Sequence, residues 1–182
     1  QDAPYSRIRD NLVTPLFEEG NNGLPEDRAV VVQAHKQVVV LINGQYWGVY
    51  DFMERIKEDF IASRFHLSNP DSVDILYGNG NQFCVLAGNG WEDYTEMVDW
   101  AGSHDLSDPS NYEYINTLMD TENYATYIAT EIIIGNTDSA NIKYWRSAEK
   151  DNKWRWILYD FCWAMNRNDD SKDAYTSGYR RD

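Results

Sequence analysis

The sequence predicts an α+β domain, from its length and composition and from the order of its strand-like and helical segments. Its 182 residues suit one domain with a real core, and 42% hydrophobic and 25% charged residues are ordinary for a globular protein. A hairpin comes first, helices follow, and a long helix leads into a second hairpin. We therefore expect strands and helices within one folded unit at residues 1–165, followed by a polar tail at 166–182.

The first half of the chain predicts a helix, a short strand, a hairpin of two strands, a short helix and two further strands. The segments in order are 5–19, 30–32, 38–42, 45–52, 57–65, 72–77 and 82–87. Pro15 should end or kink the first helix, whose apolar face carries Ile8, Leu12, Leu16 and Phe17. Asn43-Gly44 is typical of a tight hairpin turn between 38–42 and 45–52.

The second half predicts three helices and another hairpin. The helical segments are 91–101, 112–119 and 121–134, and the hairpin strands are 142–146 and 154–161. Pro109 should break the chain between the first two helices, Thr121 can cap the third, and Gly135 should stop it.

Charge and composition exclude some classes of protein. The net charge of −14 disfavours duplex nucleic acid as a partner, because phosphate binding needs clustered Lys and Arg. The acid excess either keeps the protein soluble or favours a basic substrate. Two cysteines cannot define a disulfide scaffold or a zinc site, and the longest apolar runs are too short for membrane insertion. The first residues are polar, so no signal peptide is predicted there, but the sequence also lacks an initiator Met. We therefore expect a processed or trimmed piece, and the first residues do not indicate the cellular compartment.

The segment 135–141, Gly-Asn-Thr-Asp-Ser-Ala-Asn, and the later Ile157-Leu158-Tyr159-Asp160 are the most informative part of the chain. They place Asp138 and Asn141 after a helix and Asp160 at the end of a strand. Phosphoryl transfer uses an Asp that orients the attacking hydroxyl, with an Asn and an Asp that hold Mg²⁺ on the nucleotide phosphates. A hairpin returns its ends close together, so we expect Asp160 near Asn141.

Each of these residues also has a purely structural interpretation. Asp138 could cap a turn, Asn141 could begin a strand without binding a ligand, and Asp160 could mark where a strand meets solvent. Glu131 lies on an apolar stripe, where pairing with Arg or Lys is expected rather than catalysis. Along 143–146, basic and aromatic residues are interpreted as two faces of a strand, one basic with Lys143 and Arg146 and the other aromatic. The basic residues would either steer phosphate or pair with acidic residues of the surface.

Two sequence blocks together resemble the CotH family, the spore-coat-protein-H-like atypical protein kinases. The first is VVVLINGQYWGVY at 38–50, which runs into Glu54-Arg55-Ile56; the second is EIIIGNTDSANIKYWR at 131–146, which is followed by KWRWILYDFCW at 153–163. The resemblance covers most of residues 5–165. The ordered combination of these motifs is specific, whereas each motif alone would be weak.

The resemblance implies a protein-kinase-like fold that transfers the γ-phosphoryl group of ATP to Ser or Thr of a protein substrate. It assigns Asp138 to the acceptor hydroxyl, and Asn141 and Asp160 to Mg²⁺. Glu54, Arg55 and Ile56 match the family's ExI element, where a kinase hinge would meet the nucleotide, or form a salt bridge instead. Bacterial members act in spore coats or resemble exported proteins, so a secreted, cell-surface or spore-coat location is expected without being specified.

Three departures from the family pattern predict a weak or inactive fragment. By the resemblance, we expect the N-terminal strands that carry the family's phosphate-covering loop and its Lys to precede the first residue given. Asn141 follows Asp138 by three residues, where the family often has five, and Cys162 stands where the family often has a second Asp. Small displacements of a ligand lower catalytic rates by large factors.

The departures also favour a second interpretation, a catalytically inactive surface or interaction domain that binds a protein or a glycan. Exposed aromatic residues around Trp47, Trp91 and Trp100 would form its contact surface. A nucleotidyl transferase on the same scaffold is a third possibility. The protein substrate and the oligomeric state are not predicted.

Overall fold

The architecture is α+β, with a mixed five-stranded sheet, a separate two-stranded hairpin and five helices in the described residues. The computed structural model describes residues 8–21, 23–24, 29–79, 82–136, 138 and 141–165. The helices are α1 Arg9–Asn21, α2 Glu58–Arg64, α3 Trp91–Ser103, α4 Pro109–Leu118 and α5 Thr121–Ile133. The strands are β1 Val31–Val32, β2 His35–Ile42, β3 Gln45–Met53, β4 Val73–Asn79, β5 Gln82–Ala87, β6 Asn141–Ser147 and β7 Arg155–Leu158. Both predicted hairpins and the predicted strands at 72–77 and 82–87 are confirmed.

The five-stranded sheet has the order β1-β7-β6-β4-β5. β1 pairs with β7 in parallel, whereas the other neighbours are antiparallel. β6 is central and pairs with β4 over its full length, from Asn79 opposite Asn141 to Val73 opposite Ser147. The hairpin β6–β7 therefore places Asn141, at the start of β6, beside the residues that follow β7.

Helices cover both faces of this sheet. On one face, α1, α3, α4 and α5 pack on Leu76, Tyr144, Trp156 and Leu158. On the other face, Phe60 and Ile61 of α2 pack with Val73, Ile75, Trp145 and Ile157. Alternate residues of β4, β6 and β7 thus enter two separate cores, because successive side chains of a strand point to opposite faces. The shared sheet is the rigid support for the loops at its edge.

The β2–β3 hairpin is formed as the sequence predicts but packs on little else. Asn43 and Gly44 have φ values of 52° and 79°, and both are positive, as a tight hairpin turn requires. Large side chains on both faces are open to solvent, with Tyr46 67%, Trp47 62% and Phe52 72% exposed. At its base, the Glu54 N–H donates to the Ala34 carbonyl at 3.1 Å.

The first helix differs from the prediction in two ways. α1 continues through Pro15, which removes one backbone donor without ending the helix. Its buried residues are Val13 and Thr14, whereas the predicted face residues Ile8, Leu12 and Leu16 are exposed. Phe17 from that face packs with its ring 6.3 Å from the ring of Phe161. The helix is therefore oriented by its contacts with the residues after β7 and with β1 and β2, not by its strongest apolar stripe.

Two helix starts also differ in detail from the prediction. Pro109 separates α3 from α4 as predicted, but α4 begins at Pro109 itself and not at Tyr112, because the missing N–H of proline has no cost at the first position of a helix. Asp120, not Thr121, caps α5, and its carboxylate accepts the Asn123 N–H at 2.9 Å. Asp and Thr are both good capping residues, and adjacency alone does not decide between them.

None of the described helices is long and apolar enough to span a membrane. The predicted polar tail at 166–182 lies outside the described residues.

Candidate active site

The loop after α5 presents Asp138 at the edge of the sheet. Gly135 has a φ of 60°, so the chain leaves the helix there in a conformation that glycine adopts without strain. Asn136 is buried, and its side-chain oxygen accepts the Asp138 N–H at 3.2 Å. The Asp138 carbonyl accepts the Asn141 N–H at 3.5 Å where β6 begins. The side chain that caps this turn is therefore that of Asn136, not that of Asp138 as the structural interpretation expected.

Asp160 occupies a constrained turn just after β7. Its φ and ψ of 56° and 63° lie in the left-handed region, which is uncommon for a residue other than glycine although Asp tolerates it. Helix α1 holds this turn: Asp10 accepts the Phe161 N–H at 2.6 Å, and the Arg9 guanidinium donates to the Cys162 carbonyl at 2.8 Å. A backbone held in an unusual conformation by a distant helix is common at functional sites.

The structure brings Asp138, Asn141 and Asp160 together. The Asn141 amide N–H donates to the Asp160 carboxylate at 2.7 Å, and its oxygen accepts the Tyr159 hydroxyl at 2.5 Å. The Asp138 carboxylate lies close enough for both partners to affect its pKa, which the charge of Asp160 raises and hydrogen bonding with Asn141 lowers. The Asn141 amide is thus held between Asp160 and Tyr159, next to Asp138.

Burial and like charge perturb this cluster. Burial, together with the nearby charge of Asp160, raises the pKa of Asp138 above its usual range, and the hydrogen bond from Asn141 partly offsets this. Burial and the hydrogen bond to Asp160 raise the pKa of the Cys162 thiol to about 12. The Cys162 thiol is therefore protonated near neutral pH.

Lys143 is the basic residue beside this cluster. Its ammonium lies 3.8 Å from the centre of the Tyr159 ring, and burial lowers its pKa although the charge of Asp160 acts the other way. Arg146 lies on the opposite face of β6, where Asp74 accepts its Nε–H at 2.8 Å and Asp93 forms a second ion pair. The prediction of one basic face is wrong, because residues three apart on a strand point to opposite sides.

The oxygen-bearing residues fit Mg²⁺ by their chemistry. In the described part of the chain, no group of three or more His, Cys, Asp or Glu side chains is arranged to hold a metal. Two carboxylates and an amide nevertheless suit Mg²⁺, which typically uses one or two protein carboxylates together with phosphate oxygens and water. The mutual repulsion of Asp138 and Asp160 favours a cation between them. Asn141 presents N–H to Asp160, so its amide would have to turn to offer oxygen.

The predicted nucleotide-binding residues Glu54, Arg55 and Ile56 lie after β3, where other contacts engage two of them. Glu54 forms an ion pair with Arg64 and accepts the Ala34 N–H at 2.9 Å, as the salt-bridge alternative anticipated. The Ile56 side chain is buried in the core beneath α2, and Arg55 is exposed. Their role with a nucleotide stays a prediction.

The residues Tyr159 and Asp10 contribute to the site although the sequence did not single them out. Burial raises the pKa of Tyr159, as do the nearby charges, including those of Asp160, Asp138 and Glu131. Glu131 is buried at the end of α5, on the side where its charge reaches Tyr159. Tyr159 could have been inferred from its place next to Asp160 in the chain. No local signal points to Asp10, which lies about 150 residues earlier.

Comparison with known proteins agrees with this arrangement of elements. The chain matches the family described as CotH kinase protein over residues 2–181, nearly its whole length, and it belongs to that family. The resemblance carried by the two sequence blocks is thereby confirmed. No match was found among curated proteins.

Proposed function

We propose that this chain carries the catalytic part of a protein-kinase-like domain that transfers the γ-phosphoryl group of ATP to Ser or Thr of a protein. Membership of the CotH kinase family supports a kinase-like function. The observation that carries the proposal is the convergence of Asp138 and Asp160 on the amide of Asn141. Phosphoryl transfer depends on positioning and on electrostatic stabilisation, and these three side chains offer the groups for both.

In this proposal Asp138 orients the acceptor hydroxyl. The hydroxyl oxygen forms a bond to the γ-phosphorus, the bond between that phosphorus and the bridging oxygen of ADP breaks, and Asp138 takes the hydroxyl proton. A pKa raised by burial and by Asp160 suits a group that accepts a proton. Asn141 and Asp160 would hold Mg²⁺, which supplies positive charge against the phosphates when bound.

Lys143 has a role in the same proposal. Phosphate recognition requires local positive charge, and Lys143 lies over Tyr159 beside the acidic cluster. Its amine is partly desolvated, which strengthens its interaction with an anion. We assign it to the phosphate groups of the nucleotide.

The exposed β2–β3 hairpin supports the proposal that further strands complete a kinase-like N-terminal sheet in the intact protein. In the described residues, β2 and β3 pair only with each other, and apolar side chains on both of their faces meet solvent. An isolated two-stranded hairpin is marginally stable in water. Strands carrying a phosphate-covering loop and a Lys would bury these side chains and complete the nucleotide site.

The test is phosphate incorporation into the full-length protein and into added protein substrates, with ATP and Mg²⁺. Asp138→Asn and Asp160→Ala should each lower the rate by roughly a thousandfold, because each removes a group needed at the reacting centre. Asp71→Asn is the matched control, since Asp71 is an exposed acid on the turn before β4. Equal labelling by wild type and Asp160→Ala would remove the catalytic assignment. Transfer of AMP instead of phosphate would indicate a nucleotidyl transferase.

A second candidate is an inactive surface or interaction domain that binds a protein or a glycan. It is favoured by the exposed hairpin aromatics, including Trp47. The three tryptophans predicted to share a surface lie on separate features: Trp47 on the hairpin, Trp91 against Phe83, and Trp100 between His104 and Tyr114. Calorimetric titration of the full-length protein with ATP and Mg²⁺ separates the candidates, since saturable, Mg²⁺-dependent heat argues against an inactive domain.

A further inference from the structure

A groove lies on the side of the sheet where α3 and α4 pack, away from Asp138. It is bounded by α3, α4 and the turn between β6 and β7, and its volume is about 560 Å³. Its apolar lining consists of Met97, Trp100, Tyr114, Leu118 and Trp154. The proposed phosphoryl-transfer chemistry uses none of these residues.

The aromatic walls of the groove are held in place by their neighbours. The Trp100 ring lies 4.4 Å from the Tyr114 ring and stacks at 4.1 Å on His104. Trp154 is 1% exposed, and its ring meets the Tyr94 ring edge-on at 5.2 Å. Because these rings are already packed, a ligand would lose little free energy in ordering them.

The polar lining of the groove is mainly acidic. Asp93, Glu96 and Asp151 line it together with Arg146, and Arg146 is neutralised by Asp74 and Asp93. Asp151 pairs with Arg155 at 2.5 Å. Glu96 is exposed and takes part in none of the ion pairs formed by the described residues. Glu96 is therefore a carboxylate at an aromatic groove whose charge no ion pair among the described residues matches.

The sequence that contains α3 and α4 strengthens the negative potential on that side of the groove. Residues 65–142 contain 13 Asp and Glu and no Lys or Arg, and this stretch includes all of α3 and α4. A concave site with an excess of one sign of charge concentrates ligands of the opposite sign.

We propose that this groove binds a basic peptide segment of a partner protein, through a Lys or Arg side chain that meets Glu96. The groove is larger than one such side chain requires, so an apolar neighbour in the segment would lie against Met97 and Leu118. Charge complementarity selects this occupant over a neutral or acidic one. The inference stands apart from the proposed phosphoryl transfer, since binding is measured without nucleotide.

The experiment is a fluorescence-anisotropy titration of the protein with a dye-labelled peptide of alternating Arg and Leu, in about 0.1 M salt, where screening extends over about 10 Å. Saturable binding is expected. The same peptide with citrulline for Arg keeps its shape and loses its charge, and we expect it to bind at least about tenfold more weakly. Glu96→Lys should weaken binding of the Arg peptide by about tenfold, because it places like charge against the ligand.

Asp59→Lys is the matched control. It makes the same change in net charge at an exposed residue of α2, which packs on the opposite face of the sheet. We expect less than about a twofold effect, since the site is remote and screened. Circular dichroism of both variants checks that they fold.

Several outcomes would overturn the proposal. Equal weakening by Glu96→Lys and Asp59→Lys would mean diffuse attraction to an acidic protein. Equal affinity for the citrulline peptide would mean apolar binding without charge recognition. Binding that does not saturate would mean that the groove is not a specific site for this peptide. Displacement of the peptide by a neutral oligosaccharide would assign the groove to a carbohydrate.

Discussion

The two ends of the β6–β7 hairpin carry acidic residues in opposite electrostatic settings. At the turn end, Asp120 accepts the Arg155 Nε–H at 3.0 Å, and Asp151 pairs with the same guanidinium. At the open end, Asp138 and Asp160 face each other across an amide. Hydrogen bonds and charge from Arg155 outweigh burial and lower the pKa of Asp151, whereas burial and Asp160 raise the pKa of Asp138. The comparison separates acids that are paired with an arginine from acids that lie close to one another, for which we propose a bound cation.

The largest expected effect is on stability at the turn end. Arg155 is 4% exposed, and Arg155→Met would leave Asp120 largely buried without its counter-charge. We expect the free energy of unfolding to fall by about 3–5 kcal/mol, as when one partner of a buried ion pair is removed. Urea denaturation measures it.

Arg64→Met is the control for that substitution. Arg64 pairs with Glu54 where both side chains are partly exposed, so its loss should cost less than about 1 kcal/mol. If the two arginine variants lost equal stability, the turn end would not be the structural ion-pair centre described above.

The second expected effect is that Asp120→Asn and Asp160→Asn change the free energy of unfolding in opposite directions. Asp120→Asn keeps a capping side chain but loses the charge that pairs with Arg155, so it should destabilise by about 1–3 kcal/mol. Asp160→Asn removes the charge that acts on Asp138, Asp10 and Cys162, and Asn tolerates the left-handed backbone, so we expect stabilisation by roughly 0.5–1 kcal/mol.

Thermal and urea unfolding of the two Asn variants, side by side and without Mg²⁺, measure this difference. If Asp160→Asn were more stable than wild type but inactive, Asp160 would be a functional residue that is kept at the expense of stability. Destabilisation of both variants to the same extent would make Asp160 an ordinary structural acid.

The smallest effect is on the pH dependence of stability. Asp151 has a lowered pKa, so the stability it contributes is present above its unfolded pKa of about 3.8 and is lost as pH falls through its folded pKa. Asp138 has a raised pKa, so its contribution is fully present below about 3.8 and is lost as pH rises through its folded value. Between pH 3 and 6, Asp151→Asn should therefore flatten the rise of stability with pH, and Asp138→Asn should steepen it.

Each change in that pH profile should stay under about 1 kcal/mol, because both groups are partly exposed. Urea denaturation at half-unit pH intervals measures it for wild type and both variants. Parallel shifts of the two profiles in the same direction would contradict the assignment of opposite settings.

The sequence predicts the parts of the fold and site that depend on local geometry. The Asn43-Gly44 turn fixes one hairpin, and the β6–β7 hairpin brings Asp160 to Asn141, as its antiparallel return requires. The role of Asp10 could not be predicted from local sequence, because its contact with Phe161 depends on how α1 packs against the residues after β7. The docking of α1 also explains the exposed Ile8, Leu12 and Leu16, because tertiary contacts override an apolar stripe.

The β2–β3 hairpin has a consequence for handling this chain by itself. Each strand has an outer edge with no partner strand among the described residues, and side chains such as Val39, Val49 and Phe52 beside these edges are exposed. Open strand edges with apolar side chains recruit strands from other molecules. In concentrated solution, the chain should therefore self-associate edge to edge, to a degree that falls on dilution, until something else pairs with the hairpin.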